Sequence, residues 1–414
     1  MPRTHAEIRL TVETPTFLSA GAGTPAELRM PALRGAARYW FRALAAPVFT
    51  DDTAAIARAE AEVFGAAAGT GTGPSPVAFR PVKLPPAERN PSPGWLRIRE
   101  PGVNGIGYLL GPGLYEPPSE PEGREHPGLK QPSHLAENAT GRFAVSVRAA
   151  AGLPTGYATE LTGIALWAVG AFGGLGARTH RGFCGVRLDG LEQLSPVLAP
   201  GGPLDHGHPA IRRLHELVAD RWHRAVPAER APTVLGAAAP YPQAPSWSRW
   251  HLTQSTATFQ SWVMALQAAG RALRGFRAPV DRQQPPHNMI GLPPYKRHVT
   301  HEYIDAIQPA MRGDIPVDDV FRIGAFGLPV VFGKYGTVNQ RAADGAELRR
   351  ASPLWIRPQR RGNTVGLLYH VFEARLRPPG ATLGFPRKGH PDVPLQLDEA
   401  TAYRVIAGFL GTAP

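Results

Sequence analysis

Cysteine occurs once in the 414 residues, as Cys184, and lysine only five times. One thiol excludes an internal disulfide framework and any Cys-based zinc finger, because both need two or more thiolates at short spacing. Long apolar runs are also missing. The longest uncharged apolar-leaning stretch, 161–177, is broken by five glycines, whereas a membrane span needs about 20 mostly apolar residues. The first ten residues mix Pro, Arg, His and Glu and hold no apolar core of signal-peptide length. The expected compartment is therefore the cytoplasm, with no membrane partner. Absent too are a Gly-Lys-Ser/Thr phosphate loop, a dinucleotide glycine fingerprint, a metal-spaced cluster and a nucleophile motif. These absences disfavour a small-molecule or nucleotide enzyme and imply neither cofactor nor metal.

What the chain has is arginine. Lys and Arg number 45 against 33 acids, for a formal charge of +12. Residues 1–200 contribute +2 of it and residues 201–414 contribute +10. In the second half, Arg271, Arg274, Arg277, Arg282, Lys296 and Arg297 face a single acid, Asp281. A GC-rich genome accounts for most of the preference for Arg over Lys, but not for the net charge, which points to a polyanion. The guanidinium fork suits both phosphate and base stacking.

Alternation of Ile8, Leu10 and Val12 with polar neighbours predicts a half-buried first strand. After Pro31, the residues Leu33, Ala37, Trp40, Phe41, Leu44 and Val48 share one helical arc, and Arg34, Arg38 and Arg42 form a ridge beside it. No acid lies between Glu27 and Asp51, so the ridge has no partner within its own helix. Strands are expected near 77–79, 95–99, 108–110, 143–147 and 183–188, a helix over 157–169, and an exposed insertion at 112–132, which holds six prolines. The order β-α-β-β-α-β is the ferredoxin-like, RRM-like pattern. Pro196, Pro200, Gly201, Gly202 and Pro203 mark a boundary, giving domains 1–200 and 201–414. Beyond it, a long helix is expected around Phe259–Leu273, strands near 330–332, 354–357 and 365–376, and a closing helix over 399–410. "VFGAAAGTGTGPSPVAFRP" is echoed by "VFGKYGTVNQ…RRASPLWIRP", as a duplication would produce. The predicted fold class is α+β, two tandem ferredoxin-like domains with loop insertions.

The segment Gly170–Val186, "GAFGGLGARTHRGFCGV", combines clustered glycines with Arg178, His180 and Arg181. Glycine lets backbone N–H groups approach an anion closely, and basic side chains neutralise phosphate. Because the glycines follow a helix and precede a strand, a polynucleotide backbone suits them better than a nucleotide. A merely flexible connector is the competing reading of the segment taken alone.

Four blocks together, "TPTFLSAGAGTPAELRMPALRGAARYWFRAL", "EAEVFGAA…SPVAF", "GAFGGLGARTHRGFCGV" and "FGLPVVFG…RRASPLWIRP", resemble the ordered landmarks of the RAMP superfamily. The match is to the two-domain, head-capping RAMP subunit of type III-B (Cmr) CRISPR effector complexes. It covers most of 5–190 and about 320–360; residues 112–132 and 271–298 match no landmark. The resemblance implies two ferredoxin-like domains, a basic surface for single-stranded RNA, and a place at the crRNA 3′ end of the complex. The implied partners are crRNA, target RNA, other RAMP subunits and the large polymerase-domain subunit.

The expected RNA-binding residues are Arg34, Arg38, Arg42, Gly173, Gly174, Gly176, Arg178, His180, Arg181, Arg271, Arg274 and Arg277, and no catalytic residue is assigned. The alternative is a RAMP endoribonuclease acting on crRNA precursor or target RNA, with His180 as proton shuttle. Asp51 and Asp52 are expected to solvate a helix end, and His206 and His208 to lie in a solvated linker. Trp40, Phe41, Phe259 and Trp262 are expected in the core, with Tyr39 a candidate stacking ring.

Overall fold

A computed structural model describes residues 3–19, 21, 23–66, 74–97, 104–118, 126–150, 152–199, 208–228, 234–237, 240–277, 322–331, 337–387 and 390–414. Arg282, Lys296, Arg297, His206 and the Gly-rich loop of the first echo lie outside the described residues, as does "FGKYG" in the second.

The first unit runs β1 (Arg3–Val12), α1 (Met30–Ala45), α2 (Thr53–Phe64), β2 (Val77–Lys83), α3 (Gly105–Leu110), β3 (Thr140–Arg148), α4 (Tyr157–Ala171) and β4 (Val186–Asp189). Its four strands form one antiparallel sheet in the order β2-β3-β1-β4, the ferredoxin arrangement. Alternation sends Ala6, Ile8, Leu10 and Val12 to one face, where they are fully or almost fully buried against α1 and α4. Pro31 in the first turn suits α1, and the arc Leu33, Ala37, Trp40, Phe41 and Leu44 is its buried stripe. Asp52 caps α2, accepting from the backbone N–H groups of Ala54 and Ala55 at 2.9 and 3.2 Å. α4 is apolar nearly all round and accordingly lies within the core.

Next comes α5 (Pro209–Trp222). Its Ile211, Leu214 and Val218 join the core of the first unit, and the buried His215 Nε2 meets the Leu44 carbonyl at 2.9 Å. His208 is not a solvated linker residue. Its Nδ1 accepts from Ala210 N–H at 3.1 Å as the helix cap, and its ring stacks on Trp167 with centroids 4.2 Å apart.

The second unit holds β5 (Trp250–Gln254), α6 (Trp262–Arg277), β6 (Thr337–Arg341), β7 (Leu354–Arg361), β8 (Thr364–Phe372), β9 (Thr382–Arg387), β10 (His390–Pro394) and α7 (Glu399–Leu410). β7-β8-β5 is a three-stranded antiparallel sheet whose order repeats β2-β3-β1 of the first unit. Among the described residues no fourth strand joins it. β6, β9 and β10 belong to a separate five-stranded sheet together with Val330–Val331 and Glu347–Leu348.

The echo noted in the sequence falls on equivalent strands. Ser75-Pro-Val-Ala-Phe-Arg-Pro enters β2, and Ser352-Pro-Leu-Trp-Ile-Arg-Pro enters β7, each being, in chain order, the second strand of its sheet (β1-β2-β3-β4 and β5-β7-β8). In both, the serine hydroxyl accepts from the N–H two residues on, Val77 at 3.1 Å and Leu354 at 3.2 Å. The chain is thus two ferredoxin-like units with insertions.

Three expectations need correction. Residues 94–96 form a 3₁₀ turn and residues 105–110 a helix, not strands. Short apolar runs are ambiguous in period, and here Asn104 decides for the helix by capping Gly107 N–H at 2.8 Å. The 112–132 insertion is not simply exposed. Leu114 and Leu129 are buried in the second core with Ile106 and Leu266, and Tyr115–Glu116 pairs with Gly128–Leu129.

Candidate nucleic-acid interface

The ridge on α1 is present, but it is not free of acids. Arg38 Nε and Arg42 both bind the carboxylate of Glu60 on α2, Arg42 at 2.8 Å, and Glu60 is buried while both arginines keep more than a third of their side-chain surface. Arg34 turns to the Val77 carbonyl at 2.9 Å and lies over the Phe79 ring. The sequence reading counted acids only within the helix, and the partner came from the next one. Three cations against one carboxylate leave this corner positive. Tyr39 is no stacking platform. It packs on Trp40 and Trp355, and burial pushes its hydroxyl pKa well up.

The Gly-rich segment is a joint between the two units and not an open anion cradle. Several of its backbone donors are already used: Leu175 N–H to Cys184 O and Ala177 N–H to Phe17 O, both at 2.9 Å, Cys184 N–H to Pro15 O at 3.1 Å, and Gly185 N–H to the Thr14 hydroxyl at 2.9 Å. The glycines are needed for packing. A Cβ on Gly173 would stand 2.4 Å from the Trp40 indole nitrogen, one on Gly174 2.3 Å from Cys184 O, and one on Gly176, at φ +124°, 2.6 Å from Phe17 O. Cys184 is buried and its thiol is pushed up to about 12, so it stays protonated.

His180 is likewise drawn inward. Its Nδ1 lies 2.6 Å from Ser352 O, and its ring stacks on Trp355 with centroids 3.6 Å apart, Trp355 stacking in turn on His370. Arg357 of β7 reaches the Gly173 carbonyl, Val186 O at 3.0 Å and Glu13 at 2.8 Å. Trp355 and Arg357 come from the second echo block, so two motifs noted separately in the sequence are packing partners. Their role as inter-unit contacts carried no sequence signal beyond that echo.

Desolvation lowers the His180 pKa to about 4 and that of His370 to about 3, so both rings are neutral at pH 7. An unfolded histidine titrates near 6.5. Their contribution to stability is complete above that value and is lost as pH falls from about 6.5 toward 4 and 3, where the unfolded chain binds protons and the folded chain does not. Thermal unfolding should therefore show a melting temperature that drops through this window. The drop should be shallower in the His180→Gln, His370→Gln double variant.

Around the joint, arginines gather. Arg181 donates to Phe326 O at 2.8 Å, and Arg277 donates to the Tyr108 hydroxyl at 2.8 Å and lies over the rings of Tyr108 and Phe326. The Arg178 guanidinium rests against Gly111 and Gly113. Among the described residues no carboxylate pairs with Arg178, Arg181 or Arg277, and the buried Nε of Arg277 meets no acceptor. Burial, then Arg277, lowers the Arg181 pKa to about 10, with Tyr108 opposing and Arg178 adding to the shift. Arg274, buried one turn earlier on α6, also lies in the field of Tyr108, whereas Arg271 sits where α6 crosses Gly105. The fold thus joins the Gly-rich arginines to those of α6, while the α1 ridge has its own partners on α2 and β2. Tyr108, at the centre, was missed because a single tyrosine in an apolar run gives no signal.

Residues 9–185 match the family model described as the RAMP superfamily. Among solved structures, Cmr1 from Pyrococcus furiosus in its apo form shares the fold: the TM-score is 0.51 over 99% of this chain and 97% of that one, at 17% identity. A structure of the type III-B Cmr-beta bound to cognate target RNA and AMPPnP, in the presence of ssDNA, matches at a TM-score of 0.46 and 10% identity, covering 99% of each chain. Cmr-beta bound to cognate target RNA alone gives 0.42 and 9%, over 98% of this chain and 100% of that one. No curated protein sequence matches. Among the described residues no helix is long and apolar enough to cross a membrane.

Proposed function

We propose that the chain is a non-catalytic, RNA-binding RAMP subunit of a type III-B CRISPR effector complex, contacting the crRNA 3′ end region and target RNA. Its further partners are other RAMP subunits and the large polymerase-domain subunit, and its domains are 1–200 and 201–414. The observation that carries the reading is the cluster of Arg178, Arg181 and Arg277, which has no carboxylate partner among the described residues, at the junction of two ferredoxin-like units. Partly buried guanidinium groups without a carboxylate partner are costly unless an anion joins them, and RNA supplies phosphates at regular intervals.

Support for a binder over an endoribonuclease comes from His180. A general acid–base works best with a pKa near the working pH, and this ring is held near 4 behind a stacked tryptophan. Binding should be electrostatic. For single strands, log K falls with log salt by about 0.7 per phosphate contact. The Arg178→Gln, Arg277→Gln variant should bind labelled single-stranded RNA more weakly and with a slope reduced by about 1.4. Wild-type affinity and slope in that variant would remove the cluster from the interface.

A further inference from the structure

The duplicated sheets are used unequally. In the second unit, the sheet face opposite α6 and α7 carries Trp355, Arg357 and His370. The first unit covers it: Trp355 and Phe372 join the first core, and Arg357 binds Glu13 and Val186 O. Among the described residues nothing comparable covers the corresponding face of the first sheet. Arg80 occupies in "SPVAFRP" the place that Arg357 occupies in "SPLWIRP", and it is exposed.

The residues on this open face follow from the period of two. They are His5, Glu7 and Arg9 on β1, Arg142, Ser146 and Arg148 on β3, Arg187 and Asp189 on β4, and Arg80 and Lys83 on β2. Register aligns Asp189, Arg9, Arg142 and Lys83 in one row across all four strands. Six cations share the face with two carboxylates, and both acids are occupied: Glu7 by Arg142 at 2.8 Å and Asp189 by Arg187 at 3.2 Å. Arg9 stands directly opposite Arg142, an arrangement of like charges that weakens a ladder unless something neutralises it.

From this face we infer a track for the sugar–phosphate backbone of RNA, running over β1 and β3 and separate from both the α1 ridge and the junction cluster. The inference rests on the proposed function for the kind of polyanion. A protein partner fits less well, because the centre of a protein interface is depleted of charge and rich in aromatic groups. Here the centre is charged around a single small apolar residue, Ala144, and Phe143 points to the buried side. No Phe, Tyr or Trp among the described residues lies on the face and its one ring, His5, sits beside Ser146 at 3.0 Å, so contact falls chiefly on phosphate and sugar and carries little sequence preference.

The test uses the full chain and a labelled single-stranded RNA of mixed sequence, titrated over a salt series. Arg9→Ala, Arg80→Ala and Arg142→Ala are combined, since all three are exposed and the fold should survive. The expected result is an affinity lower by about tenfold or more at low salt, with a slope shallower by about 2. Wild-type affinity in this variant, with loss in the Arg178→Gln, Arg277→Gln variant, would overturn the track and leave the proposed function standing. Retained RNA binding with failure to enter the assembled complex would overturn it in favour of a protein contact. No RNA binding by the wild-type chain, alone or assembled, would overturn both.

Discussion

Gly176→Val combined with Gly174→Val is expected to abolish the stable fold, not merely to weaken ligand binding. The Gly176 Cβ would stand 2.6 Å from Phe17 O, in a backbone conformation of φ +124°, and the Gly174 Cβ 2.3 Å from Cys184 O. Both obstacles are backbone atoms, locked by the hydrogen bonds of Leu175 and Ala177, and cannot move aside as a flexible side chain would. Steric strain of this kind costs roughly 1–3 kcal/mol per residue before any clash is added, against a total stability of about 5–15 kcal/mol. Gly35→Ala and Gly275→Ala make the contrast. Both positions are within helices with nothing near the added Cβ, so each should stabilise by up to about 1 kcal/mol. Thermal melting decides, and a double valine variant melting at the wild-type temperature would show that the joint is loose.

Arg357→Ala should be the most damaging single change outside the glycines, costing about 3–5 kcal/mol. The guanidinium is almost wholly buried and serves three acceptors at once: Glu13, Val186 O and Gly173 O. Removing it strands two carbonyls and a partly buried carboxylate between the units. Denaturant unfolding with intrinsic tryptophan fluorescence should report the loss through Trp355, its neighbour in β7. Arg357→Met, which restores volume without charge, should recover part of the stability but leave the carbonyls unpaired. Equal stability of the alanine variant and wild type would mean that the units are held by the aromatic core alone.

Much of the fold was legible because it rests on local periodicity. The alternation at Ile8, Leu10 and Val12 and the apolar arc from Leu33 to Leu44 each name a buried face directly. The Ser-Pro echo located equivalent strands because the turn chemistry that starts them is short-range. What could not be read was anything fixed by distant partners. Arg38 and Arg42 looked unpaired because Glu60 lies on another helix. Arg181 and His180 looked like an exposed clamp because Phe326 and Ser352, which hold them, are more than 140 residues away. Glycines suited to a phosphate and glycines suited to tight packing are identical in sequence, and only the Cys184 and Phe17 carbonyls distinguish them. The open face of the first sheet was overlooked for a related reason. Arg9, Arg80 and Arg142 are isolated in sequence and become neighbours only through strand register.

The central claim is that this chain holds RNA without cutting it. Its most direct measurement is incubation of the purified chain with end-labelled single-stranded RNA, with and without divalent metal, resolved in parallel on native and denaturing gels. The account predicts a salt-sensitive shift on the native gel, weakened in proportion to the arginines removed, and intact RNA on the denaturing gel under every condition. RNA cleaved by the wild-type chain, with cleavage abolished and binding retained in His180→Ala, would contradict it.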